Sequence, residues 1–169
     1  MTAETVGSAS PARQALLRTV EDTRAWGARL GALLKAGDLV VLTGDLGAGK
    51  TTLAQGIADG LGVRGPITSP TFVIAREHPS LVGGPGLVHV DAYRLAGSAE
   101  LADLDLEASL EEAVTVVEWG HGVAEQLGDG YLEVTLRGHE VRTVEVVGHG
   151  GRWTGTSACA ALDDLVSLA

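Results

Sequence analysis

Leu39-Val40-Val41-Leu42-Thr43-Gly44-Asp45-Leu46-Gly47-Ala48-Gly49-Lys50-Thr51-Thr52 carries a short apolar run straight into a glycine-rich loop. Leu39 to Leu42 has the length and the Val/Leu content of a strand buried on both faces. Gly44 to Thr51 then matches G-x-x-x-x-G-K-[ST] at every fixed position. Glycines let the backbone wrap closely enough for successive N–H groups to face one anion. The helix that begins at Lys50 adds its positive N-terminal end. In such a loop Lys50 reaches the β- and γ-phosphates and the Thr51 hydroxyl ligates magnesium. Gly44, Asp45, Leu46, Gly47, Ala48, Gly49 and Thr52 complete the expected cradle. With 24 Gly in the chain and Lys35 and Lys50 its only lysines, roughly 0.005 accidental matches are expected, so a chance turn is a poor explanation.

The flanks supply the context such a loop needs. Leu53, Ile57 and Leu61 line one face of a following helix, which Gly60 and Gly62 should stop. Upstream, Trp26, Leu30, Leu33 and Leu34 fall at helical spacing within Glu21 to Lys35, and Gly37 breaks that helix. Ala15 to Val20 reads as an edge strand, and residues 1–14 as a flexible tail rich in Ser, Ala, Thr and Gly. Downstream, Thr71 to Ala75 is extended, Leu87 to Asp91 and Ala113 to Val117 are buried strands, and Ser98 to Leu110 is helical. Tyr131 to Arg137 and Val141 to Val147 alternate apolar and polar residues around Gly138-His139-Glu140, which predicts an antiparallel hairpin. Gly148 to Gly151 reads as a linker and Ala158 to Leu168 as a short terminal helix. The expected fold is α/β: a three-layer P-loop NTPase with a mostly parallel central sheet, helices on both faces and an antiparallel C-terminal hairpin. Its domain spans residues 15–147, between tails at 1–14 and 148–169.

Charge narrows the function. Twenty-two acidic against 12 basic residues give a net charge of −10, which repels a nucleic-acid backbone. RNA is therefore expected only through a partner. No apolar run reaches the roughly 18 residues of a membrane span. Met1 to Ala12 lacks a basic region followed by an apolar stretch, and Cys159 is the one cysteine. A reducing cytoplasm is the expected location. GTP-binding proteins with this loop read guanine through N-K-x-D, and the chain contains no asparagine, so ATP is favoured by elimination.

A P-loop enzyme needs a carboxylate near its magnesium, commonly at the end of a neighbouring buried strand. Asp91 closes Leu-Val-His-Val-Asp and Glu118 closes Thr-Val-Val-Glu, where an open α/β sheet places its ligands. Asp91 reads equally as a cap before Ala92-Tyr93-Arg94, and Glu118 as a solvated carboxylate. His89 shares a strand face with Asp91 and is expected to be a hydrogen-bonded core residue rather than a ligand. The remaining histidines show no ligand spacing.

Four segments, Gly44 to Thr52, Ser69-Pro-Thr-Phe72, His89-Val-Asp-Ala-Tyr-Arg-Leu95 and Val117-Glu-Trp119, together resemble the TsaE family, also called YjeE, over roughly residues 19–137. The resemblance implies a small ATPase subunit of the bacterial machinery that makes threonylcarbamoyladenosine in tRNA. It implies ATP and Mg2+ as ligands, with Lys50 on the phosphates and Thr51, Asp91 and Glu118 on the metal side. Glu118 and Trp119 match a pair needed for activity, Glu118 orienting the attacking water, and Thr71 lies in a switch-like segment that would sense the γ-phosphate. The implied partners are the threonylcarbamoyl-transferase subunit and its inactive homologue, which hold the tRNA. Two other readings share the loop: a small-molecule kinase, and a nucleotide-gated binding protein with little turnover. The chain departs from the family at Arg76-Glu77-His78-Pro79, where a tyrosine is common, and from Gly148 onward.

Overall fold

Along β2 (Leu39–Gly44) successive side chains point to opposite faces, and both faces are buried. Val40 and Leu42 enter one hydrophobic cluster, Leu39 and Val41 another. The computed structural model, which describes residues 9–45, 47–68, 75–92, 110–118 and 130–167, puts β2 at the middle of a seven-stranded sheet. The other strands are β1 (Arg13–Leu17), β3 (Ala75–His78), β4 (Gly86–Asp91), β5 (Ala113–Glu118), β6 (Gly130–Arg137) and β7 (Arg142–Gly150). Their order is β1-β7-β6-β2-β5-β4-β3. The inner strands β6, β2, β5 and β4 are parallel, while β3, β7 and β1 pair antiparallel to their neighbours. The mixed α/β sheet and its C-terminal hairpin are those expected from the sequence.

Three helices, α1 (Val20–Leu33), α2 (Lys50–Leu61) and α3 (Thr156–Ser167), bury their apolar sides in the cluster that takes Val40 and Leu42. The opposite face is covered by a smaller cluster that includes Leu110, the last residue of the expected Ser98–Leu110 helix. The rest of that helix lies outside the described residues, as do Thr71–Ile74 of the expected extended run. No described helix is long and apolar enough to cross a membrane.

Thr19 starts α1 with a capping box: its hydroxyl accepts from Asp22 N–H while the Asp22 carboxylate accepts from Thr19 N–H. The helix then crosses α2 through glycines. Gly27 and Gly31 on α1 face Gly56 and Gly60 on α2, each pair four residues apart. A Cβ at Gly31 would lie 2.3 Å from the Ile57 carbonyl oxygen, and one at Gly60 would lie 2.1 Å from that of Ala28. Backbones therefore touch where side chains would otherwise hold the helices apart. Gly60, expected to stop α2, lies inside it for this reason. Gly62 alone ends the helix, in the left-handed conformation (φ 72°), with its N–H on the Ala58 carbonyl.

Described residues on both sides of the expected domain, from Ser10 and from Gly148 onward, pack against it. Arg13 and Gln14 belong to β1, and Ser10 is buried with its N–H on the Gly148 carbonyl at 2.7 Å and its Oγ accepting from Gly148 N–H at 2.8 Å. The supposed linker at Gly148 is strand: Gly148 pairs with Leu132 and Gly150 with Gly130. A Cβ at Gly148 would lie 2.6 Å from that of Trp153 and 2.9 Å from the Trp153 carbonyl oxygen, so only glycine lets the Trp153 segment approach this closely. Arg152 then binds the buried Asp38 carboxylate through both oxygens, at 2.8 and 2.6 Å, and donates to the Leu33 carbonyl at 2.9 Å. Leu162 and Leu165 of α3 are buried beyond it.

Gly31→Ala is expected to lower the free energy of unfolding in urea by about 2–3 kcal/mol, because the helices must part. Gly84→Ala, with nothing near its Cβ position, should stay within about 0.5 kcal/mol. Equal stabilities for the two variants would refute the close crossing.

Candidate functional site

β2 leaves the sheet at Gly44, and the chain turns through Gly47 and Gly49 before α2 begins at Lys50. Gly47 (φ 82°) and Gly49 (φ 104°) are left-handed, a conformation that side chains resist. The turn is held by Ala48 N–H on the Asp45 carbonyl at 3.0 Å and Leu53 N–H on the Gly49 carbonyl at 2.9 Å. Lys50 is buried and folds back over the loop, its Nζ donating to the carbonyls of Gly44 at 2.6 Å and Asp45 at 3.0 Å. Burial pushes its ammonium below the ordinary lysine pKa, and Glu118, Asp45 and Asp91 oppose that shift without cancelling it. The first N–H groups of α2 have no partners within the helix, as at any helix start. A cation, a helix start and left-handed glycines make a seat suited to a polyanion.

Asp91 and Glu118 stand beside this loop. They are the last residues of adjacent parallel strands, paired in register, and both are buried. β5 also pairs with β2, Glu118 opposite Leu42, so Glu118 lies one strand from the base of the loop and Asp91 two. His89 is fully buried, two residues before Asp91, with its Nε2 2.6 Å from Glu118 Oε2. The contact fixes the ring and one carboxylate oxygen together. His89 is thus the hydrogen-bonded core histidine expected from its strand position. Its Nδ1 is buried without a hydrogen-bond partner among the described residues. Within those residues no group of three or more His, Cys, Asp or Glu could enclose a metal by itself.

The structure therefore brings Gly44, Asp45, Gly47, Ala48, Gly49, Lys50, Thr51 and Thr52 together with Asp91 and Glu118. Leu46, Thr71 and Trp119 lie outside the described residues. Two contacts at the site were not anticipated. The His89–Glu118 contact joins positions 29 apart, which strand register alone could have suggested. Arg142, from β7, packs against Gly49; no motif in the sequence marks it.

Comparison with known proteins fits this geometry. Residues 17–145 match the family model "Threonylcarbamoyl adenosine biosynthesis protein TsaE". A Streptomyces coelicolor protein named tRNA threonylcarbamoyladenosine biosynthesis protein TsaE is 58% identical over 137 residues, covering 77% of this chain and 93% of its own. The Bacillus subtilis protein of the same name is 38% identical over 83% of this chain and 90% of its own. The crystal structure of YdiB from Bacillus subtilis superposes with a TM-score of 0.71 at 28% identity, covering 94% of this chain and 96% of that one. On the family match and these identities, the chain belongs to the TsaE family, whose members are named for the biosynthesis of threonylcarbamoyladenosine in tRNA.

Proposed function

We propose that the chain is an ATPase that binds Mg-ATP at Gly44 to Thr52 and hydrolyses it to support threonylcarbamoylation of tRNA adenosine by partner proteins. The observation that carries this reading is the buried Lys50 ammonium, seated in the glycine loop and within electrostatic reach of two buried carboxylates at the ends of parallel strands. Carboxylates are rarely buried this deeply, and a cluster of buried charged groups at one end of a sheet is a candidate functional site.

On nucleotide binding, Lys50 exchanges the Gly44 and Asp45 carbonyls for β- and γ-phosphate oxygens. The loop N–H groups and the start of α2 face the same anion and hold it in line for attack. Thr51 and Asp91, with Glu118 nearby, offer oxygen donors for Mg2+. So few protein oxygens would suit Mg2+, which is commonly held by one or two side chains together with substrate phosphate. When bound, the ion neutralises charge that develops on the phosphoryl oxygens. His89 engages one Glu118 oxygen, which leaves the other to orient a water toward the γ-phosphate. His89 acts through Glu118 and is a positioning residue.

The net charge of −10 agrees with a subunit that does not itself hold RNA. The partners this reading requires are the threonylcarbamoyl-transferase subunit and its inactive homologue, with tRNA reached through them. Thr71 and Trp119 enter as the γ-phosphate sensor and as the companion of Glu118.

Phosphate release from Mg-ATP, by the chain alone and with the partner pair, tests the proposal: strong stimulation by the pair is expected. No release under either condition would favour a nucleotide-gated binding protein, and phosphate transferred to a metabolite would favour a kinase. Lys50→Ala should abolish turnover; an unchanged rate would sink the assignment. Glu118→Gln should lower kcat about 100-fold or more while ADP affinity holds. His89→Ala is expected to reduce kcat about tenfold with little change in KM, since only the carboxylate's orientation is lost. A purely structural His89 would instead change stability and leave kcat alone.

A further inference from the structure

Arg142 is the first residue of β7, just past the turn that joins it to β6, and it pairs with Leu17 of β1. Since β6 runs parallel to β2 with Leu136 beside Gly44, that turn stands at the same end of the sheet as the glycine loop. The Arg142 side chain reaches the loop itself. A Cβ at Gly49 would lie 3.0 Å from Arg142 Nε and 3.3 Å from its Cδ and Cζ. The guanidinium thus covers the residue immediately before Lys50, in space that the missing side chain leaves open.

Arg142 Nε is buried and has no hydrogen-bond partner among the described residues. A buried, unmatched donor on a permanent cation is costly, and such groups are normally paired. The chain has 22 acidic residues, yet no ion pair among the described residues includes Arg142. An acceptor supplied from outside would satisfy it. The loop beneath it is built for an anion, and guanidinium–phosphate hydrogen bonds are among the stronger ones.

Strand order says which part of that anion Arg142 would meet. Glu118 and Asp91 lie on β5 and β4, to one side of β2, whereas Arg142 lies on β7, beyond β6 on the other. The γ-phosphate belongs on the carboxylate side, where the water must be oriented. We propose that Arg142 is a phosphate-binding residue that holds an α- or β-phosphate oxygen of a nucleoside di- or triphosphate seated in the loop. This rests on the nucleotide reading above and adds a cation from the hairpin to the one from the motif.

Isothermal titration of the full chain with Mg-ADP and Mg-ATP tests it in Arg142→Gln and Arg142→Met, the latter keeping the apolar stem that packs on Gly49. Both variants are expected to bind ADP and ATP about tenfold more weakly than the wild type. Arg142→Lys should recover part of the loss. Melting without nucleotide identifies any variant that has lost its fold; for such a variant Arg142→Lys, with the stem and charge kept, provides the comparison. ADP affinity within twofold of wild type in a folded Arg142→Met overturns the proposal. Weakened ATP with unchanged ADP also overturns it, since that pattern marks a γ-phosphate contact. Wild-type chain that binds neither nucleotide would reject the nucleotide reading itself, an outcome distinct from the failure of Arg142 alone.

Discussion

The crossing of α1 and α2 through Gly27, Gly31, Gly56 and Gly60 is the constraint on which the site depends. α2 starts at Lys50, so the position of that helix over the sheet sets where the loop's N–H groups and the ammonium can point. Backbone contacts at carbonyl oxygens leave little freedom to slide or rotate, because a Cβ at any of these four positions would lie 2.1 to 2.7 Å from a carbonyl oxygen of the other helix. The capping box at Thr19 defines where α1 begins, and the Arg152–Asp38 pair ties the corner between α1 and β2 to the C-terminal segment. A rigid helix pair thus presents a loop whose own residues are mostly small.

The second constraint is electrostatic. Lys50, Asp91, Glu118 and His89 are all buried at one end of a parallel sheet. Taking charges out of water costs several kcal/mol each, and mutual attraction offsets this only in part. The depressed pKa direction at Lys50, with desolvation outweighing three carboxylates, is the sign of that imbalance. A fold selected for stability alone would place apolar residues here. On the proposed reading the cluster is a preorganised environment for a highly charged ligand, and the hydrogen bond between His89 and Glu118 holds one carboxylate oxygen in place.

The edge of the sheet contributes more than closure. β7 pairs with both β6 and β1, so the hairpin that carries Arg142 is braced on two sides, and the buried Ser10 extends the brace beyond β1. The tail that follows completes the same core: Trp153 packs on Gly148, while Leu162 and Leu165 join the cluster beneath α1. The family match ends at residue 145, yet the chain beyond it is structurally continuous with the domain.

The sequence by itself determined the strand–loop–helix unit from Leu39 to Leu61, the two buried strands ending at Asp91 and Glu118, and the hairpin after Tyr131. These are local patterns, legible because four apolar residues in a row, a fixed glycine spacing and a period of two each have one cheap backbone solution. Its four motif segments also sufficed to identify the family. Only the tertiary structure decided what depends on register and on contacts between distant segments. Gly60 and Gly148 look like breakers in isolation, and are glycine because the Ala28 carbonyl and the Trp153 segment need the space. Ser10 looks like part of a polar tail until Gly148 offers it both a donor and an acceptor. His89 meets Glu118, and Arg142 meets Gly49, because parallel and antiparallel pairing slide those strands to one end. A chain read residue by residue carries local free energies, whereas these pairings are set by which distant surfaces bury each other.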